Sequence, residues 1–163
     1  MITVNVMYDL VSGHIQAASL YAITPPGGFG IVQLTLNNFT DIFNKRIDPV
    51  AQTLLNKNFL QVDNNPNIPI NSVIQLAFSK HDGTTKALMN TSQDNDAVQI
   101  SARQPDFSFN SAFRRAFFDV EQTALVNGAG SVKMAAGGAP GQEMIVVFND
   151  ILQPAFQTFN YTT

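Results

Sequence analysis

The chain has 163 residues, a formal charge of -3, 45% hydrophobic and 13% charged residues, and neither cysteine nor tryptophan. No cysteine means no disulfide, thiolate nucleophile, zinc-thiolate or iron-sulfur site, and a slightly acidic balance with only two adjacent basic pairs, Lys45-Arg46 and Arg114-Arg115, argues against nucleic-acid binding. Sixteen asparagines and twelve glutamines outnumber the 9 basic and 12 acidic residues, so the polar surface is made mainly of uncharged amides.

Ile2, Val4, Val6 and Tyr8 alternate with polar neighbours and predict a half-buried strand from residue 2. A second extended stretch covers 15–23. Thr24-Pro25-Pro26-Gly27-Gly28-Phe29-Gly30 reads as a loop, and Val32, Leu34 and Leu36 as a third strand. Thr40 and Asp41 then suit a helix start, with apolar residues from Phe43 to Leu55 recurring near 3.6. Asp48-Pro49 kinks that helix or divides it in two. The Asn- and Pro-rich stretch 61–71 reads as a surface loop.

Residues 73–80 and 84–89 flank His81-Asp82-Gly83, a hairpin signal, and Val98-Gln99-Ile100 would complete a three-stranded meander. From Asn110 or Ser111, the residues Phe113, Ala116, Phe117, Val120 and Ala124 predict a second helix closed by Asn127-Gly128. Residues 128–141 read as a glycine-rich loop or flexible arm. Met144 to Phe148 reads as a central strand buried on both faces, and Phe156 to Tyr161 as a last strand. The expected fold is a single α+β domain over 1–163, a predominantly antiparallel sandwich or barrel-like sheet carrying two short-to-medium helices.

Few residues carry obvious chemistry. His14 and His81 have no second histidine at ligand spacing, and Ser12 beside His14 is not by itself a nucleophile and base. Asp94-Asn95-Asp96 and Asp63-Asn64-Asn65 offer oxygens to calcium without the spacing of an EF-hand loop. Glu121 and Glu143 are the only glutamates, and nothing local brings them together. The glycine loops lack the Walker and dinucleotide patterns. No cofactor, metal or catalytic residue is therefore assigned. Gly128, Lys133, Met134, Gly137, Gly138 and Pro140 form the candidate interaction loop, and Arg114 and Arg115 a candidate subunit contact.

Low charge, abundant Asn, Gln and Thr, and no Cys or Trp make the composition similar to that of bacteriophage virion proteins such as tail-tube, head-tail joining or capsid-decoration subunits. That resemblance implies a non-enzymatic assembly protein, a homo-oligomer contacting other structural proteins, located in the virion. The alternative is a carbohydrate- or surface-binding β domain, against which stands the lack of tryptophan platforms. An enzyme with an unrecognised site comes third. No stretch is long and apolar enough to span a membrane, and the first residues lack a secretory layout, so a cytoplasmic location is expected outside the virion reading.

Overall fold

The computed structural model describes residues 1–90, 96–104 and 115–163. It divides into two compact units, Met1–Lys57 and Asn58–Thr163, and each has its own cluster of buried hydrophobic side chains.

The first unit is built on β1 (Ile2–Asp9), which lies between β2 (Ile15–Ser19) and β3 (Phe29–Leu36) with both pairings antiparallel. The alternation of β1 works as expected: Val4, Val6 and Tyr8 are buried and join Val32, Leu36, Ile42 and Ile47. The helix expected over 40–55 is absent. In its place stand a four-residue 3-10 turn, Phe39–Ile42, and the hairpin of β4 (Lys45–Ile47) with β5 (Leu54–Asn56).

The physical reason is local backbone chemistry. Asp41 accepts the amides of Asn37 and Asn38 and holds the 3-10 turn. Asn44 takes φ 58° immediately afterwards, which ends any helix. Asp48 then closes a turn by accepting the amides of Val50 and Ala51 at 2.9 and 3.0 Å. These bonds hold the Asp48 carboxyl below its ordinary range, Ala51 contributing more than Val50. The apparent helical spacing was accidental, because Phe43 and Val50 both end up exposed.

The second unit contains two sheets whose inward side chains meet in one core. One sheet runs β10 (Ala116–Phe118), β12 (Ala129–Ala136), β8 (Val73–His81), β6 (Phe59–Val62). The other runs β11 (Gln122–Ala124), β9 (Ala97–Arg103), β13 (Gly141–Phe148), β14 (Ala155–Thr162), β7 (Asn67–Pro69). Leu76, Phe78, Val132 and Met134 from the first sheet pack with Val98, Ile100, Ile145, Val147 and Phe159 from the second.

No α-helix occurs among the described residues, so the expected α+β class with two packed helices is corrected to a nearly all-β fold. Phe113 and the start of the second expected helix lie outside the described residues. Its remainder is β10 and β11, which belong to different sheets. There the burial follows a strand, with Ala116 buried and Phe117 57% exposed. Asn127-Gly128 is the two-residue turn between β11 and β12, with φ of 53° and 77° and Val126 bridged to Ala129. Positive φ serves a helix C-cap and a primed hairpin turn equally, so the same dipeptide supports both readings.

Other strands also pair differently from the sequence expectation. Residues 82–86 do form a turn, with Asp82 accepting the amides of Thr84 and Thr85. β9, however, joins β11 and β13, so no meander with β8 forms. The supposed arm at 128–141 is mostly β12. The stretch 144–148 buries one face: Ile145 and Val147 point inward while Met144, Val146 and Phe148 are half-buried on the other side.

Candidate functional site

The five-stranded sheet has an outer face assembled by strand alternation. Along β9, Val98, Ile100 and Ala102 are buried, which leaves Gln99, Ser101 and Arg103 on the opposite side. The register sets Gln122 opposite Gln99 on β11, and Phe148, Val146 and Met144 opposite Gln99, Ser101 and Arg103 on β13. Phe156 of β14, 52% exposed, lies opposite Val146. The Ile100 amide donates to the Glu121 carbonyl at 2.9 Å and fixes the chain where it enters β11.

A groove of about 630 Å³ runs along this face, lined by Gln99, Ser101 and Arg103 from β9, Glu121 and Gln122 at β11, and Phe148 from β13. Two amides, a hydroxyl, a guanidinium and a carboxylate line it, with one aromatic ring at the Gln99 end. Such a set can give and accept hydrogen bonds from neutral hydroxyl groups while the ring covers an apolar face. The sequence placed none of these residues in a site, because the signal is the pairing of β9 with β11 and β13, which is non-local.

The candidate interaction loop is distributed differently. Gly128 is buried in the β11–β12 turn. A side chain there would bring a Cβ within 1.7 Å of the Met89 carbonyl oxygen. Met134 is fully buried in the core, while Lys133 on β12 is exposed between the inward residues Val132 and Met134. Gly137, Gly138 and Pro140 lie between β12 and β13, where the Gly137 amide donates to the Arg115 carbonyl.

Arg114 lies outside the described residues. Arg115 precedes β10, and its amide donates to Glu143 Oε1 at 3.0 Å while the Ala116 amide donates to Oε2 at 2.7 Å. The Tyr161 hydroxyl donates to Oε2 at 3.3 Å. Glu143 is 4% exposed, so its carboxylate is a clasp between β10, β13 and β14. Burial, then the adjacent carboxylate, pushes the Tyr161 phenol above its ordinary range. Glu121 is exposed on the groove, so the two glutamates do not form an acid and base pair.

The histidines serve turns and strands. The Ser12 hydroxyl donates to Asp9 Oδ1 at 2.8 Å and accepts the His14 amide, so it does not face the imidazole as a nucleophile would. His81 stacks on Phe59 with centroids 5.3 Å apart, and the Lys86 ammonium lies 4.9 Å from that phenyl centroid. Ser79, two positions before His81 on the same strand, has its Oγ 2.9 Å from His81 Nε2 and 3.1 Å from Asp63 Oδ1.

This serine, histidine and aspartate are ordered unlike a catalytic triad. The serine stands between carboxylate and imidazole, whereas catalysis needs the imidazole in the middle. His81 Nδ1 meets the Lys86 carbonyl oxygen at 3.0 Å and must donate to it. Ser79 is 7% exposed, which closes its hydroxyl to substrate.

The acidic turns are likewise occupied. Asn64 bridges the Gln75 carbonyl and the Ala77 amide, and Asn65 accepts the Asn67 amide. Asp94 and Asn95 lie outside the described residues, and Asp96 pairs with the nearly buried Lys80 at 3.0 Å. No cluster of three metal-ligating side chains occurs among the described residues. No helix among them is long and apolar enough to cross a membrane.

No family model matches the chain, and no curated protein matches it significantly. Among solved structures, it is similar to part of a beta-glycosidase from Bacteroides vulgatus, with a TM-score of 0.51 and 8% identity over 96% of this chain and 21% of that one. It is also similar to part of a glycosyl hydrolase family 2 member from Bacteroides cellulosilyticus, with a TM-score of 0.50 and 8% identity over 98% of this chain and 22% of that one. The adhesin InvE of Yersinia pseudotuberculosis matches at a TM-score of 0.45 and 12% identity, over 68% of this chain and 34% of that one. The chain thus spans about a fifth of the length of the two hydrolases and a third of the adhesin, and what it shares with the hydrolases is a β fold.

Proposed function

We propose that this chain is a non-catalytic β module that binds carbohydrate through the outer groove of the five-stranded sheet. The observation that carries the reading is that Gln99, Ser101, Arg103, Glu121 and Gln122 line one groove of about 630 Å³ together with Phe148. Sugar rings present hydroxyls that both donate and accept, together with apolar C–H faces. Amide side chains match the first, and a phenyl ring matches the second. Phenylalanine takes the place that tryptophan was expected to fill. A fold shared with parts of two glycosidases suits this use, while the groove itself supplies the argument.

The similarity of composition to virion proteins gains no support from the fold likeness. The surface- or carbohydrate-binding alternative is the one that the groove favours. A non-enzymatic role is supported by the burial of Ser79, 7% exposed, which closes its hydroxyl to substrate although His81 Nε2 lies 2.9 Å away.

The test is binding of the intact chain to a broad glycan array, followed by calorimetry on the best ligand. Gln99→Ala and Arg103→Ala should each weaken that binding about tenfold, the loss of roughly one good polar contact. Phe148→Ala should abolish it. Glycan binding that survives all three substitutions, or no binding to any glycan, refutes the reading.

A further inference from the structure

Sheet edges expose unpaired N–H and C=O groups that recruit another strand unless something blunts them. Most edges among the described residues are blunted. β4, β5, β7, β10 and β11 have three residues each, β7 ends at Pro69 and β4 carries Lys45 and Arg46. β6 has four residues and receives a parallel bridge from Gln153, whose carbonyl accepts the Leu60 amide. β2 has five residues, and its register against β1 shifts between Met7 and Tyr8.

β3 differs from all of these. It is an eight-residue edge, Phe-Gly-Ile-Val-Gln-Leu-Thr-Leu, with no charge, no proline and an unbroken register against β1. Among the described residues, no other strand pairs with it.

We propose that β3 pairs antiparallel with β3 of a second copy of this chain, about a two-fold axis at Gln33. The argument for a second copy is self-complementarity. An axis through a residue sets positions of equal parity opposite each other, so each strand keeps its core face on the same side of the joined sheet. Val32 then meets Leu34 and Gly30 meets Leu36, which extends the cluster of Val32, Leu34 and Leu36 across the junction. On the other face the exposed Gln33 amide meets its own copy, and Ile31 meets Thr35.

An uncharged strand opposes no like charges when it pairs with itself. The pairing is isologous and closes at two copies, since the remaining edge of that sheet, β2, is short and irregular. One strand pair is a small interface, so the association is weak and reversible. This inference stands independently of the carbohydrate reading.

The test is sedimentation velocity of the full chain from micromolar to near-millimolar concentration, applied to the wild type, Gln33→Lys, Gln33→Glu and an equimolar mixture of the two variants. The wild type should move reversibly from 17.8 kDa toward twice that mass. Each variant alone places like charges on the axis and should weaken dimerisation at least about tenfold, and the mixture should regain it. If circular dichroism shows that either variant is misfolded, Thr35→Lys and Thr35→Glu replace the pair. These charges face Ile31 across the axis, so both should weaken the dimer. A wild type that stays monomeric throughout, or charged variants that dimerise as the wild type does, overturns the proposal.

Discussion

Replacing Glu143 by glutamine tests the clasp that joins three strands of the second unit. The change keeps the side-chain shape and turns one acceptor oxygen into an amide donor. In the wild type the two carboxylate oxygens take different backbone donors, Arg115 N–H at 3.0 Å and Ala116 N–H at 2.7 Å. Whichever way the glutamine amide turns, one of these N–H groups faces another donor. The hydrogen bond that remains also loses its charge assistance.

A hydrogen bond to a charged acceptor contributes about 1.5–3 kcal/mol, and a buried donor left without an acceptor costs about 1–3 kcal/mol. Removing the buried charge recovers part of this loss. A net destabilisation of about 3 kcal/mol follows. Urea unfolding should be followed by tyrosine fluorescence, because Tyr161 is the only tyrosine beyond residue 57 and reports on the second unit. Hydrogen exchange should show the Arg115 and Ala116 amides losing protection first. A stability change below about 0.5 kcal/mol with both amides still protected would refute the reasoning, since that is the scale of substitutions outside any buried network.

Other outcomes follow from the same structure. Phe117→Ala, which would empty a core if 110–127 were a helix, should change stability by less than about 1 kcal/mol, whereas Met134→Ala should cost about 2–5 kcal/mol by equilibrium unfolding. Gly128→Ala should destabilise the second unit in a thermal melt, because φ is 77° and the added Cβ meets the Met89 carbonyl oxygen at 1.7 Å. The Asp9 carboxyl, held below its ordinary 3.8 by the Ser12 amide, then the Ser12 hydroxyl and the Val11 amide, stabilises the first unit above that pH. Its contribution should be lost as pH falls through the depressed folded value, and Asp9→Asn should flatten that part of the acid titration. Tyr161 has the opposite sign. Its raised folded value makes its contribution complete below 10.0 and lost as pH rises beyond it, so Tyr161→Phe should remove part of the alkaline destabilisation measured by urea unfolding.

The elements that could be read from sequence are those whose signal lies within a few residues. Alternation placed β1 close to its observed bounds and found the second part of β3, whose first residues Phe29 and Gly30 read as loop, because a half-buried strand writes a period of two into its own residues. Asp82-Gly83 marks a chain reversal for the same local reason, and Asp48 and Asn127-Gly128, which read as a helix break and a helix end, also close reversals. What those reversals connected was not local. Asn127-Gly128 fits a helix end and a hairpin turn alike, and in a chain with 13 phenylalanines an apolar spacing near 3.6 occurs by accident.

Only the tertiary structure decided between these readings, by giving β10 a partner in β12 and β11 a partner in β9. The same choice of partners placed Gln99, Gln122 and Phe148 in one groove and drew Glu143 onto the amides of Arg115 and Ala116. Strand partnership is settled by the total area buried when sheets close over a core. That quantity belongs to the folded chain, so the composition showed an amide-rich surface without showing where its amides converge.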